Sequence, residues 1–232
     1  FNSRPIEGTI KNITIKRDTL GDIYIYFICQ TKENEVLART GKSVGFDFGL
    51  KKFLTSSESI DEDITSPMFF KTNSKVIKNA CKQLSRKKIG SHNRRKARLA
   101  LARLYKRVFS QRKDFHWKLA YKLVGKYATI CLEGLNLKGM SKRYGKKIFD
   151  LGFSDFVKIL EYAAKKVGTT IIKVDRYYPS SQLCHCCGYQ NKETKDLRIR
   201  KWICPVCHAE HDRDRNAAIN IKIEGLKQLQ LS

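Results

Sequence analysis

The stretch CPVCHAEHDRDRNAAINI, residues 204 to 221, sets a cysteine pair a few positions ahead of two aspartates and the apolar start of a helix. A second pair, Cys184 and Cys187, precedes it, with residues 188 to 203 between the two. Two CxxC turns at this separation can aim four thiolates at one tetrahedral ion, the arrangement of a four-cysteine zinc ribbon. Cys184, Cys187, Cys204 and Cys207 are therefore the expected zinc ligands. His185, Cys186 and His208 lie close enough to blur that choice, although only Cys184 with Cys187 has the standard two-residue gap. Four protein ligands leave no position for water, so the expected zinc is a structural clamp.

A second group of residues invites different chemistry. Asp47 interrupts the apolar run SVGFDFG, Glu133 ends the run ATICLEG, and Asp214 stands at the start of NAAINIKIEGL. Charges in such places are costly unless they are paired or metal-bound. Three carboxylates brought together repel, and the natural compensators for an all-oxygen donor set are magnesium or manganese. Two such ions can activate water and stabilise the departing oxygen of a phosphodiester. Taken singly, Asp214 could cap its helix and Glu133 could pair with a lysine.

The elements that must position these groups follow from periodicity. TIKNITIKRDTLGDIYIYFI, residues 9 to 28, predicts a β-hairpin turning at Asp18 to Asp22. Strands are predicted around Asp47, at 128 to 135 and at 169 to 175, with a helix over 153 to 168. Between Lys71 and Lys126, Ala97, Leu101, Leu104, Val108, Phe115 and Leu119 recur at helical spacing. Ile89-Gly90-Ser91 divides that stretch into two helices, with Ser91 as a cap. The order of elements argues for an α/β sheet covered by helices.

Composition narrows the partners. The 232 residues are 41% hydrophobic, enough for one sizeable α/β domain with appendages, and the formal net charge is +25. So large an excess points to a polyanion, nucleic acid above all. The stretch 71 to 126 holds 19 Lys or Arg against one acid, Asp114. Arg86, Lys87, Lys88, Arg94, Arg95, Lys96, Arg98, Arg103, Arg107 and Arg112 are the candidate contacts to phosphates. No apolar run reaches about 18 residues, so no membrane is expected and the chain should be soluble and intracellular. Eight cysteines in such a chain are better ligands or core residues than disulfides, and Cys29 and Cys131 fit the core. Phe1 in place of Met leads us to expect a removed upstream piece.

GFDFGLKKF around Asp47, CLEGLNLKGM around Glu133 and YYPSSQLCHCCG with CPVCHAEHDRDRNAAINI around Asp214 resemble the three RuvC-type motifs and zinc ribbon of the TnpB family, transposon-encoded relatives of type V CRISPR effectors. The basic segment from SRKKIG to KLAYKLV is similar to that family's inserted helices. The likeness runs from about residue 7 to residue 223 and keeps four motifs in order. It implies an RNase H-like (RuvC) α/β nuclease domain at 43–179 and 212–232, carrying a basic helical segment at 71–127. It further implies a zinc ribbon at 180–211, preceded at 1–42 by part of a wedge-type β domain.

The activity implied is magnesium-dependent, RNA-guided cleavage of DNA, with Asp47, Glu133 and Asp214 as catalytic acids and Asp214 preferred over Asp212. Guide RNA and target DNA are the implied partners, in a prokaryotic cytoplasm at the nucleoid. The family's upstream recognition region is missing from these residues, so target recognition is expected to need that region or a second chain. Two other functions fit the same residues, a binding protein that does not cut and a structure-specific nuclease that needs no guide.

Overall fold

A computed structural model describes residues 5–30 and 41–230, apart from the side chains of Lys138 and Arg143. Phe1 and parts of the expected 1–42 domain lie outside the described residues. Contacts divide the chain into two compact units. The first takes in residues up to 35 and Phe69–Gln111, the second Val36–Met68 and Arg112–Ser232. Sequence reading places 71–127 wholly within the nuclease domain, whereas the structure groups its first two thirds with the N-terminal hairpin.

In the first unit, β1 (Thr9–Arg17) and β2 (Ile23–Gln30) pair antiparallel. Asp18 Oδ1 closes their turn by accepting from the Leu20 and Asp22 amides at 2.9 and 3.0 Å, and Gly21 takes the left-handed φ of +92° that this turn needs. Helices α1 (Phe69–Ser85) and α2 (His92–Lys126) follow, separated at Gly90 as expected. The Ser91 hydroxyl accepts from the Arg94 amide at 3.2 Å, which makes it the cap of α2. Lys106 on α2 ties the hairpin turn down through Asp18 at 2.6 Å and through Asp22.

The second unit is built on a five-stranded sheet in the order β5-β4-β3-β6-β7. These are β3 (Ser43–Phe48), β4 (Lys52–Ser56), β5 (Ile64–Thr65), β6 (Thr129–Glu133) and β7 (Thr170–Val174). Strands β3, β6 and β7 run parallel, while β4 and β5 complete the sheet antiparallel. Alternation along β3 assigns its two faces. Val44, Phe46 and Phe48 enter a core with Phe53, Leu119, Leu123, Phe153 and Phe156, contributed by β4, the later part of α2 and α4 (Phe153–Val167). Between β6 and α4 lies α3 (Leu137–Leu151), which the sequence reading leaves unassigned because two glycines and a non-helical Tyr144 break its periodicity.

The opposite face of β3 and β6 carries Gly45, Asp47, Cys131 and Glu133, and is covered by α5 (Arg213–Gln230). A Cβ on Gly45 would stand 2.2 Å from the Ala218 carbonyl oxygen and 2.6 Å from the Lys222 amide nitrogen. A Cβ on Gly225 would meet Cys131 Sγ at 2.5 Å. Gly45 thus lets backbone lie against backbone, Gly225 makes room for the Cys131 side chain, and together they fix the height of α5 over the sheet.

Candidate functional site

Parallel pairing aligns Phe46 with Leu132, so Asp47 and Glu133, one residue further, share a rung at the carboxyl ends of the two central strands. Neighbouring strands lie about 4.8 Å apart and side chains on one rung point the same way. Asp214 arrives from the helix above. From Gly45 to Asp47 the strand climbs roughly 6.6 Å, and from Ala218 back to Asp214 the helix climbs about 6 Å. The contact of Gly45 with Ala218 therefore carries Asp214 to the level of the two strand acids.

The electrostatics register this convergence. Burial, followed by the charges of Glu133 and Asp214, pushes the Asp47 carboxyl well above its ordinary range, and Asp47 shares a hydrogen bond with Glu133. Burial raises Glu133 to about 7 despite a bond from the Phe48 backbone and the one from Asp47, with Asp214 adding to the rise. Carboxyl groups that hold protons near neutrality for want of a counter-charge suit a hard divalent cation.

Several residues to which sequence reasoning gave no positioning role hold Asp214 in place. Asp212, the rejected alternative acid, is the helix cap: its Oδ1 accepts from the Arg215 amide at 3.0 Å. The Arg215 guanidinium donates to the Ser56 carbonyl at 2.9 Å and to both oxygens of Asp63 at 3.3 Å. Asp63 is itself buried and also accepts from Lys52 Nζ at 2.8 Å and the Ser56 amide at 2.9 Å. This clamp sets the rotation of the first turn of α5. Arg200 and Arg213 meet the Asp214 carboxylate directly, at 3.2 and 3.1 Å.

The ribbon carries the four cysteines as spaced, with ligand atoms all within 4.8 Å of one another. Cys184 and Cys207 sulfurs are 3.5 Å apart, Cys187 and Cys204 3.6 Å. The two turns match: the amides of Gly188 and His208 donate to the carbonyls of Cys184 and Cys204 at 2.8 and 2.9 Å, and both residues have left-handed φ, +79° and +58°. His208 thus fills the glycine position of its turn and is exposed. At Cys204 burial is outweighed by the Cys207 and Val206 amides, which hold the thiol down at about 7. At Cys187 the Tyr189 amide loses to burial and the neighbouring thiols, which push it up to about 12. Four sulfurs so crowded cannot all ionise without a cation, and the set fits zinc. His211, which sequence reading overlooks, is buried with Nε2 3.1 Å from Cys184 Sγ, and Cys184, Cys186 and His211 form a second close group.

Two buried amides join the ribbon to α5. Asn216 Nδ2 and Asn220 Nδ2 donate to the Leu183 carbonyl at 2.6 and 2.7 Å, and Asn216 Oδ1 accepts from His185 Nδ1 at 2.9 Å. Two asparagines four apart in the otherwise apolar stretch NAAINI were the available signal, since a buried amide needs partners. The strand pair β8 (Lys201–Ile203) and β9 (Glu210–Asp212) then feeds directly into α5.

Of the ten candidate phosphate contacts, Arg86, Lys87, Lys88, Arg95, Lys96, Arg98, Arg103 and Arg107 are exposed and meet no carboxylate among the described residues. Arg94 instead donates to the Leu84 and Lys87 carbonyls at 3.1 and 2.9 Å, capping the end of α1. Arg112 donates to the Phe149 carbonyl at 2.6 Å near the end of α3. Among the described residues no helix is long and apolar enough to cross a membrane.

An α/β sheet whose strand ends and covering helix gather acids, with a cysteine ribbon bonded to that helix, is the class of structure defined. Residues 153–221 match the family model "Cas12f1-like, TNB domain", and residues 26–144 match the model "Probable transposase" of the OrfB_IS605 type. A Streptomyces pristinaespiralis protein named as a candidate RNA-guided DNA endonuclease is 35% identical over 97% of this chain and 56% of its own length. TnpB-like protein L79 of Acanthamoeba polyphaga mimivirus is 28% identical over 97% of this chain and 45% of its own. In a cryo-EM structure of a Cas12f1–sgRNA–target DNA complex, the similar fold has a TM-score of 0.61 at 21% identity, over 90% of this chain and 44% of that one. The chain belongs to the TnpB family. It spans about half the length of these relatives.

Proposed function

We propose that this chain carries the nuclease centre of an RNA-guided DNA endonuclease, an RNase H-like domain of the RuvC type. What supports the reading is that Asp47 and Glu133, more than eighty positions apart in sequence, share a rung and a hydrogen bond, and that the charge of Asp214 acts on both. Their donor set fits magnesium or manganese, which when bound would supply charge stabilisation and an activated water for phosphodiester hydrolysis. Asp47 and Glu133 must give up their shared proton to hold such an ion. Asp214, engaged by Arg200 and Arg213, completes the group from the helix side, and the cysteine ribbon with zinc holds that helix to its loop. The eight exposed cations of α2 and of its connection to α1 are suited to the backbone of a guide–target heteroduplex.

Replacing Glu133 with Gln removes one ligand charge at almost constant volume. Cleavage of a target by the guide-loaded protein in magnesium should fall by at least a hundredfold while binding of the target persists. Cutting at the unmodified rate would remove the acids from the reaction. One observation favours a second reading, a binding protein that does not cut: two guanidiniums already occupy Asp214. Under it, the unmodified protein loaded with guide RNA and magnesium binds target and leaves it whole.

A further inference from the structure

His211 stands in the middle of β9, directly across from Trp202 on β8. It is 4% exposed, and its ring centroid lies 4.5 Å from that of Trp202. The His185 ring meets it edge-on at 4.9 Å and is itself bonded to Asn216 of α5. A buried imidazole costs free energy unless its nitrogens find partners. Here Nε2 lies 3.1 Å from Cys184 Sγ, whereas Nδ1 meets no partner among the described residues. A proton on Nδ1 would be a buried donor without an acceptor, and Nε2 would then turn its lone pair toward the lone pairs of the sulfur. A proton on Nε2 removes both penalties. Cys184 as a zinc ligand is a thiolate and accepts only, so the contact is a charge-assisted N–H···S hydrogen bond.

The same residue lies one peptide from the start of the nuclease helix. Asp212, next in the chain, caps α5 by accepting from the Arg215 amide. The Arg213 amide donates to the Arg200 carbonyl at 2.8 Å, which carries the β8–β9 ladder into the first turn of α5. Asp214 follows in that turn. We propose that His211 is a positioning residue: its Nε2–H donates to the Cys184 thiolate, secures zinc in the ribbon and, through Asp212 and the first turn of α5, holds Asp214 at the level of the other acids. The link to Asp214 rests on the nuclease reading above; the bond to the thiolate does not. A donor aimed at a thiolate draws charge from it and makes it a poorer nucleophile toward the protons and oxidants that release a metal.

The test loads the full chain with zinc and follows release of the ion to excess EDTA. His211→Phe keeps a ring against Trp202 and removes the N–H, whereas His211→Gln gives up the ring and places an amide N–H at the reach of Nε2. Release should quicken about tenfold with Phe and less than about threefold with Gln, the range of a lost outer partner of a metal ligand. The reverse order, or equal release from both, would overturn the hydrogen bond and leave His211 as packing. A second measurement needs no variant. In protein carrying spin-active cadmium in place of zinc and labelled at the histidine nitrogens, nuclear magnetic resonance should find the His211 proton on Nε2. An unprotonated Nε2 coupled directly to cadmium, or a second ion per chain held by Cys184, Cys186 and His211, would make the imidazole a ligand and overturn the proposal. For the link to the acids, manganese affinity of the zinc-loaded protein should fall about fivefold with Phe, the lower end of coupling between two sites, and hold with Gln. Unchanged affinity with Phe would overturn the link. An unmodified protein that binds no manganese would remove the acid reading and the link together, while the zinc and cadmium measurements still decide the hydrogen bond.

Discussion

Burial lifts the Glu133 carboxyl out of the ordinary glutamate range. Between its ordinary value of 4.5 and its raised value of about 7, the folded state binds more protons than the unfolded one. The stability tied to this group is therefore complete below 4.5 and is lost as pH rises through 7. His116 has the opposite sign: buried against Phe53 with Nε2 2.9 Å from the Leu151 carbonyl, it is lowered by burial from 6.5 to about 4. Its contribution is complete above 6.5 and lost as pH falls. The two offset one another in mildly acidic solution, and comparison with Glu133→Gln isolates the carboxyl effect at higher pH. Without divalent ions, raising the pH from 6 to 8 should cost the unmodified protein about 1 kcal/mol more than Glu133→Gln loses. Denaturant unfolding at both pH values checks this, and equal losses in the two proteins would contradict it.

Among residues, the sequence showed chemistry more readily than partnership. Four cysteines were legible because each CxxC carries its geometry within four residues. The three acids stood out as charges in apolar surroundings. Arg94 and Arg112 read as phosphate contacts because spacing cannot tell a cation facing solvent from one capping a carbonyl. Asp212 and Asp214 could be separated by resemblance alone, and the hydrogen bond from Arg215 supplies the physical reason.

Among elements, the decisive one is α5, and what places it is an absence of side chain. At Gly45 a methyl group would stand 2.2 Å from a backbone oxygen of α5, which has no flexible end to yield. Gly45→Ala should therefore lift the helix, destabilise the protein by roughly 1–3 kcal/mol and depress cleavage through displacement of Asp214. Gly125, near the end of α2, faces open space, and Gly125→Ala should be neutral or stabilising by up to about 1 kcal/mol. Thermal melts of the two variants settle the contrast, and equal effects would show that helix propensity rather than close approach governs Gly45. None of this was readable beforehand: strands and helices announced themselves by period, but the contact of residue 45 with residue 218 depends on strand order and on the height of a helix arriving 170 positions later.

For the whole molecule, the charge of +25 resides largely where it can be reached. Counterion release makes affinity for DNA fall with salt, with a slope of about 0.9 per phosphate neutralised. Neutralising Arg98 or Arg103 should lower the slope of log affinity against log salt by about 1 each. Arg94→Ala should leave the slope unchanged, because its guanidinium is spent on the end of α1. Equal changes in all three variants would mean that the exposed and the capping arginines serve alike. Composition alone thus points to a polyanion, whereas which cations are exposed required the fold.

The claim on which the account turns is that Asp47, Glu133 and Asp214 hold divalent cations together. Calorimetric titration of the zinc-loaded protein, freed of other divalent ions, with manganese tests it without any nucleic acid. Binding should be seen with the unmodified chain and weaken at least tenfold in each of Asp47→Asn, Glu133→Gln and Asp214→Asn. Undiminished manganese binding in all three variants would contradict it.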